Sequence, residues 1–261
     1  MPELPEVETA MRRLRPVVVG RTILRVRTLH RMTSRTLPPG EAAAVSGRRV
    51  VGVDRWAKYQ TLQLDDGSAL EVHFRMAGDW AFGPTSEPET PRFARAAIDL
   101  DDGSTVTLVD SRGFGTIRRI APDDPRPVRA PDALDPAFDA SYFGRVLAAR
   151  RQAIKPTLLD QALVGGIGNI YASEALWRAR IDPRTPAGRI GPRRLARLTI
   201  AIRETLADAI ASPGRHAEGE ALDRLAVYER AGEPCRRCGR AIARTVQAGR
   251  STYACPTCQR R

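Results

Sequence analysis

Apolar positions in the first twenty residues fall on one helical stripe. Leu4, Val7, Met11 and Leu14 recur at spacings of three and four, and Gly20 follows as a stop, which predicts a helix over 4–19. From there to about residue 120 the period changes to two. β-Branched runs (TILRVRTL, RRVVGV) read as strands, and two hairpins turn on the same tetrapeptide, YQTLQL-DDGS-ALEVHF and AAIDL-DDGS-TVTLVD. The repeat is compatible with a duplication and, more simply, with turn chemistry used twice. The stretch APDDPRPVRAPDALDP at 121–136 has no apolar period and reads as a linker. Helical patterns then cover 137–150, 155–164, 170–180 and 192–211, the third entered through the turn VGGIGN. The expected division is 1–120, a linker over 121–136, a helical domain over 137–227 and a terminal segment over 228–261 that holds all four cysteines.

Composition changes the picture first through charge. A formal net charge of +12 on 261 residues, with a pI near 10.6, favours a polyanionic partner, most simply nucleic acid, with a membrane surface as the rival. No apolar run approaches the roughly 20 residues of a spanning helix, and the N-terminus lacks the basic-then-apolar pattern of a signal peptide, so the chain reads as cytoplasmic. Of the 42 basic residues only Lys58 and Lys155 are lysines. High-GC codon usage accounts for the arginine excess as a whole, and a lysine that survives it marks a position where a compact or deprotonatable charge is wanted.

Cys235-x2-Cys238 and Cys255-x2-Cys258, with sixteen residues between the pairs, form two knuckles that close a four-sulfur zinc site around a small hairpin. That hairpin carries Arg236, Arg237, Arg240, Arg244 and Arg250. They are either solvated arginines or a rigid set of guanidinium groups for phosphates. GGIGN ahead of IYASEALWRAR makes a tight turn into a helix, where backbone N–H groups and Asn169 could hold a phosphate, or where glycine serves packing alone.

At the N-terminus, removal of Met1 would expose the secondary amine of Pro2. Terminal amines have a reference pKa of about 8, against about 10.4 for lysine, so much more of such an amine is nucleophilic at neutral pH. Attack on a sugar C1′ would give an iminium, with Glu3 placed to deliver a proton and Glu6 one turn further on. The competing reading is that Pro-Glu-x-Pro-Glu merely starts a helix, with acids matching its dipole.

Together these features resemble the formamidopyrimidine-DNA glycosylase and endonuclease VIII family of base-excision repair enzymes. The likeness runs the full length, through PELPEVET, RWAKYQTL, DSRGFG (110–115), AIKP (153–156), GGIGNIYASEAL (165–176) and the cysteine knuckles. PELPE and AKY favour the formamidopyrimidine branch. The resemblance implies an α+β fold of two domains: an N-terminal helix with a two-sheet β-sandwich, then a helix-two-turn-helix domain with a zinc-ribbon hairpin and one structural zinc. It implies a bifunctional DNA glycosylase and AP lyase, monomeric, acting on double-stranded DNA with a damaged base or abasic site. Pro2 would form the Schiff base, Glu3 would act as general acid, and Lys58 would contact the lesion phosphate and assist β-elimination. His73, Lys155, Asn169 and Arg250 would grip phosphates, Arg250 also assisting δ-elimination, and Arg95 and Arg151 are included as DNA contacts. Met76, Arg112 and Phe114 would fill the gap left by an extruded base, although from the sequence alone Met76 and Phe114 read better as sandwich core.

Departures from the family pattern bear on lesion choice. The segment SPGRHAEGEALDRLAVYERAGEPC is short for the usual capping loop, Arg95-Ala96-Ala97 replaces an HxH, Gly113 stands inside the usual Arg-Arg-Phe, and Arg75 replaces a common glycine. The alternatives are the same chemistry on oxidised pyrimidines or other adducts, or a non-catalytic zinc protein that binds damaged DNA.

Overall fold

The N-terminal stripe forms α1 (Leu4–Val18), which buries Leu4, Val7, Met11, Leu14 and Val18. The structure, a computed structural model, describes residues 1–85, 91–124, 129–212 and 224–260. It divides into two units, Met1–Pro127 and Val128–Arg261.

In the first unit the period-two segments give β1 (Ile23–Thr28), β2 (Val50–Trp56), β3 (Tyr59–Leu64), β4 (Ala69–His73), β5 (Gly78–Pro84), β6 (Ala94–Leu100), β7 (Ser104–Asp110) and β8 (Thr116–Ile120). They pair antiparallel in two four-stranded sheets, ordered β1-β6-β7-β5 and β2-β3-β4-β8. Both sheets contribute to one core with α1: Ile98, Val106 and Leu108 from the first, Val53, Leu62 and Val72 from the second. The two DDGS turns are built alike. Asp66 accepts the backbone N–H and hydroxyl of Ser68, Asp102 accepts the same pair from Ser104, and Gly67 and Gly103 each sit at φ +81°.

Two short helices in this unit have no counterpart in the sequence reading, α2 (Arg31–Thr36) and α3 (Pro39–Ala44). Neither is long enough to show a helical period. Their starts are local, His30 Nδ1 accepting the Met32 N–H and proline opening α3.

The second unit holds α4 (Ala140–Leu147), α5 (Ile154–Leu158), α6 (Asn169–Arg178), α7 (Pro192–Ala211) and the hairpin of β9 (Ala243–Gln247) and β10 (Arg250–Ala254). The helix expected over 155–164 stops at Leu158. Beyond it side chains serve the backbone: Asp160 accepts the Ala162 N–H, while Gln161 accepts from Gly166 and donates to the Leu159 and Ile167 carbonyls. The stretch read as linker is also partly structured. Asp132 bridges Gly165, and Ala133 is fully buried. Residues 213–223 of the segment compared with the capping loop lie outside the described residues.

Candidate functional site

Glu3 is the N-cap of α1 and is 2% exposed. Its carboxylate accepts the backbone N–H of Glu6, and Glu6 Oε2 accepts the Glu3 N–H at 2.8 Å, a reciprocal capping box. The helix-start reading of this segment is therefore correct as local structure. It is also what fixes Glu3 beside Pro2, which is half-buried, with Met1 exposed ahead of it.

Lys58 lies in the two-residue turn that joins β2 to β3, directly after Ala57, whose φ of +53° is unusual for a residue with a side chain. Lys58 is buried at 8% exposure. His73 ends β4 opposite Tyr59, the two rings 4.5 Å apart, and its Nδ1 accepts the Arg75 N–H. The turn after β4 exposes Met76, whereas Phe74 and Trp80 on either side of it in sequence are buried edge to face. Gly78 closes that turn where any Cβ would lie 2.8 Å from Phe74 backbone atoms.

The loop after β7 is organised by Asp110, 1% exposed, which accepts backbone N–H groups from Arg112, Phe114 and Gly115. Arg112 and Phe114 are thereby turned outward, with the guanidinium 5.7 Å from the ring centroid. Phe114 is 47% exposed and Met76 38%. The alternative that these two belong to the sandwich core is ruled out. Arg95 braces the same loop, its Nε donating to the Asp110 carbonyl at 2.7 Å. Asp110 is the residue the sequence reading passed over, although it opens the quoted DSRGFG.

In the second unit the expected phosphate ligands separate. Lys155 is 1% exposed, and its ammonium donates to Asn169 Oδ1, the Ser251 carbonyl and Thr252 Oγ1 at 2.6, 2.7 and 2.8 Å. An ammonium has three donors, so Lys155 pins α5, α6 and β10 together rather than reaching a phosphate. Asn169 opens α6 and also donates to the Ser251 carbonyl. Arg151 and Arg250 are exposed, the latter beside the tight turn at Ala248 and Gly249.

Cys235, Cys238, Cys255 and Cys258 bring their sulfur atoms within 4.8 Å of one another. Tetrahedral zinc with bonds of about 2.3 Å requires S···S separations of about 3.8 Å. Those of 4.0 Å (Cys235–Cys258) and 3.5 Å (Cys238–Cys255) fit that ion. Burial would raise the Cys235 thiol, but N–H groups of Trp177, Arg237 and Cys238 hold it at about 6, while burial and the neighbouring thiols push Cys258 up to about 12. Trp177 Nε1 donates to Cys235 Sγ at 3.5 Å, and Arg237 stacks on the Trp177 ring while donating to the last carbonyls of α6. The thiols suit one structural zinc, and α6 is tied to the hairpin at both ends.

Comparison with known proteins matches three families in order along the chain. Residues 1–117 match the formamidopyrimidine-DNA glycosylase N-terminal domain, residues 129–218 its H2TH domain, and residues 232–261 the zinc finger found in FPG and IleRS. A formamidopyrimidine-DNA glycosylase of Chloroflexus aurantiacus is 42% identical over 276 residues, spanning 99% of this chain and 98% of that protein. The Lactococcus lactis formamidopyrimidine-DNA glycosylase, solved non-covalently bound to DNA containing an AP site, is similar with a TM-score of 0.91 and 31% identity, covering 100% of both chains. It has also been solved with DNA containing an oxidised pyrimidine. The Thermus thermophilus protein gives a TM-score of 0.86 at 38% identity, over 99% and 98% of the two chains.

Proposed function

The chain belongs to the formamidopyrimidine-DNA glycosylase family, and on that premise we propose that it is a bifunctional DNA glycosylase and AP lyase of base-excision repair, acting on double-stranded DNA with a damaged base or an abasic site. The observation that carries the reading is the capped N-terminus: a capping box holds the Glu3 acid in one place directly after Pro2, whose nitrogen becomes a secondary amine once Met1 is lost.

After loss of Met1, the Pro2 nitrogen attacks C1′ of the damaged nucleotide. The glycosidic bond breaks, its electron pair leaves with the base, and the proton released from the Pro2 nitrogen compensates the charge on the base. Glu3 supplies a proton to the sugar ring oxygen as the ring opens to the iminium. That iminium withdraws electrons from C2′. Loss of the C2′ proton expels the 3′ phosphate in β-elimination, and a second elimination expels the 5′ phosphate. Lys58 neutralises the phosphate beside the lesion, and Arg250 assists the second step. His73 adds a phosphate contact, with Arg151 and the N-terminus of α6 doing the same from the second unit. Met76, Arg112 and Phe114, all exposed, fill the stack where the base has left. The four cysteines hold one structural zinc, which stiffens the hairpin that carries Arg250.

The protein acts as a monomer in the cytoplasm, held at the nucleoid by DNA. Among the described residues no helix is long and apolar enough to cross a membrane, and the net charge suits a polyanion.

The test is borohydride trapping on abasic-site, 8-oxoguanine and oxidised-pyrimidine duplexes, wild type beside Pro2→Gly. A covalent band that needs Pro2 is the expected result, and the duplexes that give it define the lesion range. A trapped sugar that maps to a peptide other than the N-terminal one moves the nucleophile elsewhere, whereas a residual band on the N-terminal primary amine that Pro2→Gly creates does not. Absence of any band leaves a protein that binds damaged DNA without lyase chemistry.

A further inference from the structure

The turn that carries Lys58 is held in an unfavourable conformation. Ala57 has φ +53° with its methyl buried at 1% exposure, a region that L-residues enter at a cost and that two-residue hairpin turns normally fill with glycine or asparagine. Something outside the turn must keep it there. Arg55, 9% exposed and two residues before Ala57 on β2, donates from Nη1 to the Ala57 carbonyl at 2.9 Å. Its Nε donates to Glu8 Oε2 at 2.7 Å, and Glu8 is 14% exposed on α1. Glu8 is held in turn by Arg12 at 2.8 Å, one helical turn further on.

α1 is the helix whose cap fixes Glu3 beside Pro2. Glu8 and Arg55, 47 residues apart in sequence, therefore give the N-terminus and the Lys58 turn a common reference. We propose that Arg55, seated on Glu8, is a positioning residue for Lys58: it holds the Ala57 carbonyl and keeps the turn in the left-handed conformation that aims the lysine at the lesion phosphate. A short cation cannot replace it. The guanidinium spans a carboxylate on one side and a carbonyl on the other, and a lysine ammonium at this position reaches only one of them. The inference rests on the proposed lyase reading, because it assigns Arg55 to the lysine that the reading employs.

The experiment measures single-turnover nicking of an abasic duplex by wild type, R55K, K58M and R55K/K58M, each with its zinc, together with the yield of the borohydride-trapped Pro2 adduct. R55K is expected to nick about tenfold more slowly, the loss that follows when a residue is released from a conformation of this cost. Trapping yield should hold or rise, since the iminium still forms and its elimination slows. In the K58M background R55K should cost nothing further, because its effect passes through the lysine. A57G, which relieves the backbone conformation, should recover at least about threefold of the R55K loss. Equal losses in the wild-type and K58M backgrounds, or no loss from R55K, overturn the proposal while leaving the lyase intact. Wild type that neither nicks nor traps overturns the function itself and this inference with it. If R55K does not fold, E8Q takes its place, with the same four-way comparison and the same expected non-additivity.

Discussion

Gly113 concentrates two restrictions in one residue. Its φ is +69°, and a Cβ placed there would lie 2.9 Å from the His30 ring, whose Nδ1 caps α2. Gly113→Ala should therefore destabilise the first unit by about 1–3 kcal/mol, read from the denaturant midpoint. Asp99 is a second residue whose weight can be measured. Burial would raise its pKa, but Arg27, Arg25 and Thr105 hold it below the ordinary carboxylate value. A depressed pKa stabilises the fold fully above the unfolded value near ~4, and that contribution is lost as the pH falls through the folded value. Asp99→Asn should cost about 1–3 kcal/mol at pH 7, and the gap to wild type should close below about pH 4. At this scale the sequence revealed candidate residues better than their surroundings. PELPE, AKY and DSRGFG singled out positions that the fold makes distinctive, a helix cap, a left-handed turn and a loop gathered on Asp110, yet the exposure of Met76 and Phe114 was illegible because an apolar residue near a strand end suits either core or wedge. Lys155 was marked for its rarity, but its three acceptors include groups about a hundred residues away, which no local pattern encodes.

Among the elements, α6 shows how tertiary bonds can define a helix more than its own period does. Lys155 and Asn169 tie its start to β10, Arg237 caps its end, and Glu174 in its middle accepts backbone N–H groups from Ala226, Val227 and Tyr228. Lys155→Met would leave buried acceptors unsatisfied and should lower stability by roughly 2–4 kcal/mol in thermal melts. The same variant separates a structural pin from a phosphate ligand. The slope of log affinity against log salt should be unchanged by Lys155→Met, once the folded fraction is allowed for, and should fall by about 0.9 for Arg250→Gln. The long periodic elements, α1, α7 and the two DDGS hairpins, were legible because each buries one regular face or repeats one turn. Helices α2 and α3 were not, since a helix of one or two turns carries no period, and the early end of α5 depends on side chains of Asp160 and Gln161 that bond backbone instead of continuing the helix.

For the whole molecule, strands and helices are segregated into two units, an order visible in the change of period along the chain, while the fold class itself came from the family resemblance. What did not follow was the indole that donates to a cysteine sulfur: Trp177 and Cys235 are 58 residues apart, and nothing in either neighbourhood announces the pair. The units have separate cores, so zinc removal should act unevenly. Chelation should abolish hydrogen-exchange protection in β9, β10 and the second half of α6, while the sandwich strands retain theirs. Uniform loss across both units would contradict this division. A different consequence follows from sealing Lys155. An opened abasic sugar presents an aldehyde, and aldehydes condense with any accessible primary amine, so a lysine-rich DNA-binding face would capture its own substrate in unproductive imines. This chain would meet DNA with a side-chain set of 40 arginines and two lysines, both of them buried, and guanidinium groups remain protonated and poorly nucleophilic. On the proposed lyase reading, its grip on the backbone is thus chemically silent toward the carbonyl, and the Pro2 amine is the group that would react with it.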